Sequence, residues 1–357
     1  LKSMDVGIRE FDLIKKRIPI DEIDMDAPFF SQSNYSGKRP ASVSPAKTAM
    51  TIEAPTAYQW NNDGWVMELN KLTISHGRFQ NEKETERAPY TDRFDGQHLL
   101  FTDISASFHH VLFSKDTLSA DIQLASNERS GLQVKKLQAS FKFTPEIMEF
   151  NHLDLITNKS HLKDYYAMRY NDFNEDMNNF IHSVVLEGHF KNSELNSDDL
   201  AIFAPNLASW KRIFYLEGTA KGSIDNFMAR NMKIKSGHSQ VEGDIALRGL
   251  PDINSTFIDF KAKGLQTSYA DAVALVPSLA RITQPQLSKL GNIFYKGNFT
   301  GFLNDFVAFG TIITNMGMVT ADLNMKLPET GIPNYSGKLM TNHFKLGEFI
   351  NSKELGN

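Results

Sequence analysis

The histidines are the residues of this sequence best suited to catalysis or metal binding, and their spacing supports neither role. The chain has ten His and no Cys, which excludes thiolate nucleophiles, disulfides, iron–sulfur clusters and Cys-based zinc sites. His109 and His110 are adjacent, but neighbours on a strand point to opposite faces and do not readily share a metal. The sequence also has no HExxH motif. We therefore expect no metal site and no cofactor.

Serine and carboxylate groups show no recognisable catalytic arrangement either. Ser236 and Ser239 flank His238 without forming a nucleophile elbow, and a turn between strands explains them better. The acidic segment 21–26 lacks the glycine and the terminal glutamate of an EF-hand loop, which favours a solvated edge. Carboxylates are numerous, so a glycosidase-like pair on a β-scaffold stays open as an alternative, although nothing marks one out. We therefore expect that this protein is not an enzyme and has no catalytic residues.

Composition sets the class of protein. The 357 residues carry a net charge of −4, which argues against a nucleic-acid partner because such proteins need a basic surface. Hydrophobic residues make up 41% and charged residues 22%, ordinary values for a folded chain. The most apolar window, 272–280, is far shorter than the roughly 20 residues of a membrane-spanning helix. Any membrane anchor is therefore expected before Leu1.

Alternation of apolar and polar residues dominates the chain after about residue 60. In segments 214–224 and 240–250, one phase is apolar or small and the other is mostly polar or charged. This period of two predicts antiparallel strands with one dry and one wet face. The predicted fold is mostly β: an elongated, curved, open antiparallel sheet with a repeat-like order and a few short helices.

Two short helices are predicted between the strands, over 197–204 and 269–276. Asn196 and Ser268 are the expected N-caps, because each is followed three residues later by an aspartate. Pro205 and Pro277 are expected to end the helices.

These two helices begin two similar stretches of sequence. The helix residues match at an offset of 72 and the following strand residues at an offset of 79, as for Phe227 and Phe306. Such self-similarity predicts an array whose neighbouring units bury each other's faces. We predict five regions along the chain. They are an N-terminal strand and linker region at 1–60, an antiparallel β region at 61–195, two repeats at 196–266 and 267–343, and the start of a third repeat at 344–357. The Pro- and Ala-rich segment 39–56 is expected to be a linker or surface loop.

Several short motifs occur in a specific order along the chain. They are LEG at 216–218 followed by Gly222, GLPD at 249–252 and GNFTGFLNDF at 297–306, with SGL at 130–132, LDLITNKS at 153–160, and DL at 199–200 together with FAP at 203–205. In this order, over roughly residues 65–357, they resemble the AsmA/TamB-like proteins of Gram-negative envelopes. The resemblance implies a periplasmic β-groove with an apolar interior, held in the inner membrane by an anchor that this sequence lacks. It also implies phospholipid transport between the two membranes, outer-membrane assembly, or both, with an outer-membrane assembly protein as a further partner.

The dry phase of the strands supplies the candidate binding residues. We expect them to contact phospholipid acyl chains along a shared apolar groove. These residues are Phe214, Leu216, Ile224, Val241, Ile245, Leu247, Ile258, Phe260, Tyr295, Phe299, Val319, Leu323 and Met325. The alternative is a structural or adhesive surface β-protein, in which the same residues form a closed, dry core.

Overall fold

The computed structural model describes residues 1–8, 12, 14–34, 60–87, 91–250, 252, 255–275, 279–280, 285–326 and 334–354. Strands account for 64% of the structure and helices for 12%. The predicted mostly-β fold, an open antiparallel sheet with a few short helices, is confirmed. The expected linker at 39–56 lies outside the described residues.

The chain divides into two compact units. Unit 1 comprises Leu1–Lys159 with Ala201–Pro205, and unit 2 comprises Ser160–Leu200 with Asn206–Asn357.

Unit 1 is built on eight strands. They are β1 (Ser3–Ile8), β2 (Arg17–Asp26), β3 (Phe29–Asn34), β4 (Val66–Lys83), β5 (His98–Ser114), β6 (Thr117–Glu128), β7 (Gln133–Phe143) and β8 (Ile147–Ile156). Strands β4 to β8 pair antiparallel in sequence order, and β1 pairs antiparallel with β2.

Two strand pairings in unit 1 depart from the antiparallel expectation. β2 and β3 pair in parallel with successive parts of the long strand β4. Parallel neighbours need a crossover connection instead of a tight turn, and residues 35–65 separate β3 from β4 in the sequence. Alternation within a strand does not reveal this direction, because both pairings give the same period of two.

Unit 2 contains ten strands, each antiparallel to the next. They are β9 (His161–Arg169), β10 (Val185–Asn196), β11 (Ile213–Ser223), β12 (Asn226–Ser236), β13 (Ser239–Arg248), β14 (Phe257–Ser268), β15 (Asn292–Phe302), β16 (Asp305–Thr314), β17 (Gly317–Lys326) and β18 (Asn334–Asn342).

The helices are short. They are α1 (Phe173–Asn178), α2 (Phe180–Ser183), α3 (Ser197–Ala201), α4 (Tyr269–Leu275) and α5 (Leu346–Ile350), with 3-10 turns at Pro205–Ser209 and Leu287–Leu290.

The two predicted N-caps are confirmed. The Asn196 side chain accepts a hydrogen bond from the backbone N–H of Asp198 at 2.9 Å. The Ser268 hydroxyl accepts one from the backbone N–H of Asp271 at 3.1 Å. These bonds satisfy amide groups that have no partner within the helix. Helix α3 ends at Ala201, three residues before the predicted end. After a short break, a 3-10 turn begins at Pro205.

The order of elements gives the sheet a repeat-like character. Helix α3 and a 3-10 turn precede strands β11 to β14, helix α4 and a second 3-10 turn precede β15 to β18, and α5 follows. The domain limits proposed from the sequence stay a prediction. The first of them, near residue 60, adjoins the segment 35–59, which is outside the described residues.

Candidate functional site

The strand register of unit 2 brings the dry-phase residues into cross-strand rows. Ile245 lies opposite Phe260, and Phe260 lies opposite Phe299. Residues directly opposite on neighbouring strands point to the same side of the sheet. The rows therefore form one apolar face, which we call the inner face of unit 2.

Twelve of the thirteen sequence-predicted residues lie on strands at positions of this inner face. They are Phe214, Leu216, Val241, Ile245, Leu247, Ile258, Phe260, Tyr295, Phe299, Val319, Leu323 and Met325. Ile224 instead lies in the turn between β11 and β12, half-buried. Leu216 is buried, and the other strand residues of the set are half-buried.

The inner face of unit 2 is packed most tightly at β11 and β12. Leu216, Ala220, Ala229 and Met232 form a buried cluster. Phe190, Phe227 and other partly buried apolar side chains pack against it. Toward β15 and β17, the aromatic and aliphatic residues of the face are only half-buried.

Unit 1 contains an apolar cavity that the sequence did not single out. Its volume is about 350 Å³, within the range of small-molecule sites. Every lining residue is apolar: Met4, Ile23, Met25, Met67, Leu69, Leu72, Phe108, Val111, Leu118, Ala120 and Phe141. These residues come from β1, β2 and β4 to β7, so distant parts of the chain assemble the cavity.

The residues that line the cavity are spread along the strands. Met67 lies near the start of β4, whereas Met25 lies opposite Ile74, seven residues further along that strand. At the rise of a β-strand this separation is about 23 Å. The alternation in β5, β6 and β7 was visible in the sequence, but β1 and β2 carried no signal that would have placed Met4 and Met25 beside them.

The opposite face of each unit carries charged residues in cross-strand pairs. In unit 2, Glu187 accepts hydrogen bonds from Lys221 at 3.0 Å and from Arg169 at 3.1 Å. Burial alone would raise the pKa of Glu187, but these two cations hold the pKa below its ordinary value. In unit 1, Lys136 donates to Asp154 at 2.7 Å. In each unit, the strands therefore separate an apolar side from a charged side.

Within the described ranges, no group of three or more His, Asp or Glu side chains is placed to hold a metal ion. None of the helices in the described part of the chain is long and apolar enough to cross a membrane.

No protein-family model, curated protein or solved structure matches this chain.

Proposed function

We propose that this protein binds single acyl chains along the apolar side of its sheet. The observation that carries the proposal is the cavity of unit 1, whose eleven lining residues include no polar side chain. A ligand that fits there must itself be apolar, because a buried polar group without a hydrogen-bond partner is strongly disfavoured.

The dimensions of this cavity support an extended hydrocarbon. The lining residues are spread over about 23 Å of strand β4, more than the roughly 15 Å that an acyl chain spans in one leaflet of a bilayer. Each buried CH₂ group contributes about 0.8 kcal/mol, so even a partly inserted chain is held. Methionine is flexible and polarizable, and Met4, Met25 and Met67 would adapt to chains of different shape.

The resemblance to AsmA/TamB-like proteins extends this binding to a biological role. On that basis we propose that the chain is a periplasmic segment of a structure that conducts phospholipid between inner and outer membrane. An outer-membrane assembly protein and a membrane anchor outside this sequence are the further partners that the resemblance implies. The half-buried inner face of unit 2 would offer shallow contacts in series, along which a chain slides without a deep trap.

The binding of cis-parinaric acid, a fluorescent fatty acid, tests the proposal in the purified protein. Met25 lines the cavity, whereas its neighbour Asp24 belongs to the opposite phase of β2. We expect Met25→Arg to weaken binding at least about tenfold, because the new charge faces hydrocarbon. Asp24→Arg introduces the same charge outside the cavity and should bind like the wild type.

Circular dichroism establishes that both variants are folded. A folded Met25→Arg protein that binds as tightly as Asp24→Arg would contradict the proposal. Absence of binding in the folded wild-type protein would favour the structural or adhesive alternative.

A further inference from the structure

A polar hollow opens on the charged side of unit 2, opposite to the inner face. It encloses about 430 Å³ between β10, β11, β12 and β13. We call it the outer hollow and define it by Asn192, Ser193, Glu194, Tyr215, Leu216, Glu217, Lys233, Lys235, Gln240 and Glu242. Only Leu216 among these residues is apolar.

Strand irregularities surround the outer hollow. The β10–β11 register shifts between Phe190 and Ser193, and the β12–β13 register shifts between Ala229 and Met232. Asn192 and Asn231, at these shifts, have a left-handed backbone with φ of 49°. Such bulges re-aim side chains and are frequent beside functional sites. The two irregularities lie on β10 and β12, the strands on either side of β11.

The charged side chains of the outer hollow have no partner within the described part of the protein. Glu217, Lys233 and Glu242 are direct cross-strand neighbours, yet none of their side chains forms a hydrogen bond or ion pair with another described residue. The same holds for Glu194 and Lys235.

The neighbouring charges on the same side of the sheet behave differently. Glu187 and Lys221 are also direct cross-strand neighbours, and their charged groups lie 3.0 Å apart. Cross-strand ion pairs are therefore formed beside the hollow and are absent within it. The five unpaired groups, three carboxylates and two ammonium groups, are left available to a ligand.

We propose that the outer hollow binds a small zwitterion that carries a primary ammonium and an acidic group. The carboxylates of Glu217 and Glu242 would accept the ligand's ammonium, and the two lysines on β12 would bind its acidic group. From β11 to β13 the charge alternates between carboxylate and ammonium, so the ligand's charges should be separated by about 5 Å, the distance between neighbouring strands. Tyr215, which is 49% exposed, offers an aromatic face to the ammonium.

This site is independent of acyl-chain binding, because its charged side chains, unlike that of Leu216, point away from the inner face. Its ligand is either a free metabolite or the head group of a lipid, and both share the same chemistry. O-phosphoethanolamine, which has the required charges at about the required separation, is the probe.

NMR titration of the isotope-labelled full chain tests the site. We expect saturable binding of O-phosphoethanolamine, with shifts at residues of the hollow. Ethanolamine and inorganic phosphate, which each supply one charge, should bind at least about tenfold more weakly. The double variant Lys233→Gln/Lys235→Gln should lose at least about tenfold in affinity. Lys261→Gln, which removes an exposed lysine of β14 outside the hollow, should have no effect.

Three results would overturn the proposal: no saturation up to about 10 mM, phosphate binding as tightly as the zwitterion, or an equal loss in the Lys261→Gln control. Preserved spectra outside the hollow establish that each variant is folded. Vesicles of phosphatidylethanolamine that displace the bound probe would identify a lipid head group as the source. Vesicles that do not displace it would identify a free zwitterion, and the site stands in both cases.

Discussion

A buried histidine at the start of β5 contacts two residues of the segment that precedes this strand. His98 is 3% exposed, and its Nδ1 lies 2.9 Å from Oδ2 of Asp95 while its Nε2 lies 2.9 Å from the carbonyl oxygen of Thr85. The Asp95 carboxylate also accepts a hydrogen bond from the backbone N–H of Gln97 at 3.0 Å. Burial by itself would raise the pKa of Asp95, but the bonds from His98 and Gln97 leave that pKa below its ordinary value.

Because of these hydrogen bonds, we expect the free energy of unfolding of unit 1 to fall as the solution becomes acidic. We expect Asp95→Asn to lower the free energy of unfolding by about 1–3 kcal/mol at pH 7, because a charged hydrogen-bond acceptor is lost. A depressed folded-state pKa contributes stability above the unfolded pKa of about 3.9, and this contribution disappears as the pH falls through the folded pKa. The difference between wild type and variant should therefore shrink below about pH 4.

Urea denaturation at pH 7, 5 and 3 measures this difference. Asp92→Asn replaces an exposed aspartate of the same segment and should change stability by no more than about 0.5 kcal/mol. An Asp95→Asn penalty of the same size at pH 3 as at pH 7 would show that the carboxylate charge is not responsible.

At the scale of elements, two glycines let neighbouring strands of unit 2 approach closely. Gly297 of β15 lies directly opposite Gly310 of β16. A Cβ on Gly297 would lie 2.2 Å from the backbone oxygen of Phe309, too close for any side chain. A methyl group at this position would push the strands apart.

We expect Gly297→Ala to destabilise unit 2 by about 1–3 kcal/mol, as overpacking does elsewhere. Gly264→Ala is the matched control, because a Cβ there would meet no atom closer than 3.7 Å. That control should be neutral or slightly stabilising, by about 0.4–1 kcal/mol, since alanine restricts the unfolded chain. Equal unfolding midpoints for the two variants would refute the close approach.

The bulges of unit 2 are a second feature of its strands. Asn231 has a φ of 49° within β12, its backbone N–H donates to Asp244 at 2.7 Å, and its side chain accepts from Lys263 at 2.9 Å. Left-handed backbone is tolerated by asparagine and glycine and strongly disfavoured for β-branched residues.

We therefore expect Asn231→Val to lower the free energy of unfolding by about 1–2 kcal/mol. Asn231→Gly also removes the side-chain contact with Lys263 but accepts the left-handed backbone, so it should stay within about 0.5 kcal/mol of the wild type. Thermal unfolding distinguishes the two effects. A glycine variant as unstable as the valine variant would assign the loss to the side-chain contact instead.

At the scale of the whole molecule, acyl-chain binding should distinguish the two sides of the sheet in unit 2. Ile245 lies on the inner face opposite Phe260, whereas Asp244 is adjacent in sequence and opposite Lys261. We expect a photo-reactive residue at position 245 to form lipid adducts in cells and the same residue at 244 to form few, because only the first faces the apolar rows.

Mass spectrometry of the cross-linked protein measures this ratio. Equal labelling at both positions, or none at either in a folded protein, would falsify the groove in unit 2. Binding in the unit 1 cavity is measured separately with the Met25 and Asp24 variants.

The sequence by itself determined the features that depend on neighbours along the chain. Alternation indicated the strands and the phase of Ile245 and Phe299, and the polar residues Asn196 and Ser268 indicated the helix caps. Both signals are local, because a strand has a period of two and a cap bonds an amide only two or three residues away.

The tertiary structure decided the features that depend on register and on distant strands. The unit 1 cavity joins Met4 to Phe141, and the outer hollow joins Asn192 to Glu242. The tertiary structure likewise decided the parallel pairing of β2 with β4 and the bulges at Asn192 and Asn231. A one-residue change of register moves every side chain of a strand to the other face, so cavities between strands are specified only when the long-range pairing is known.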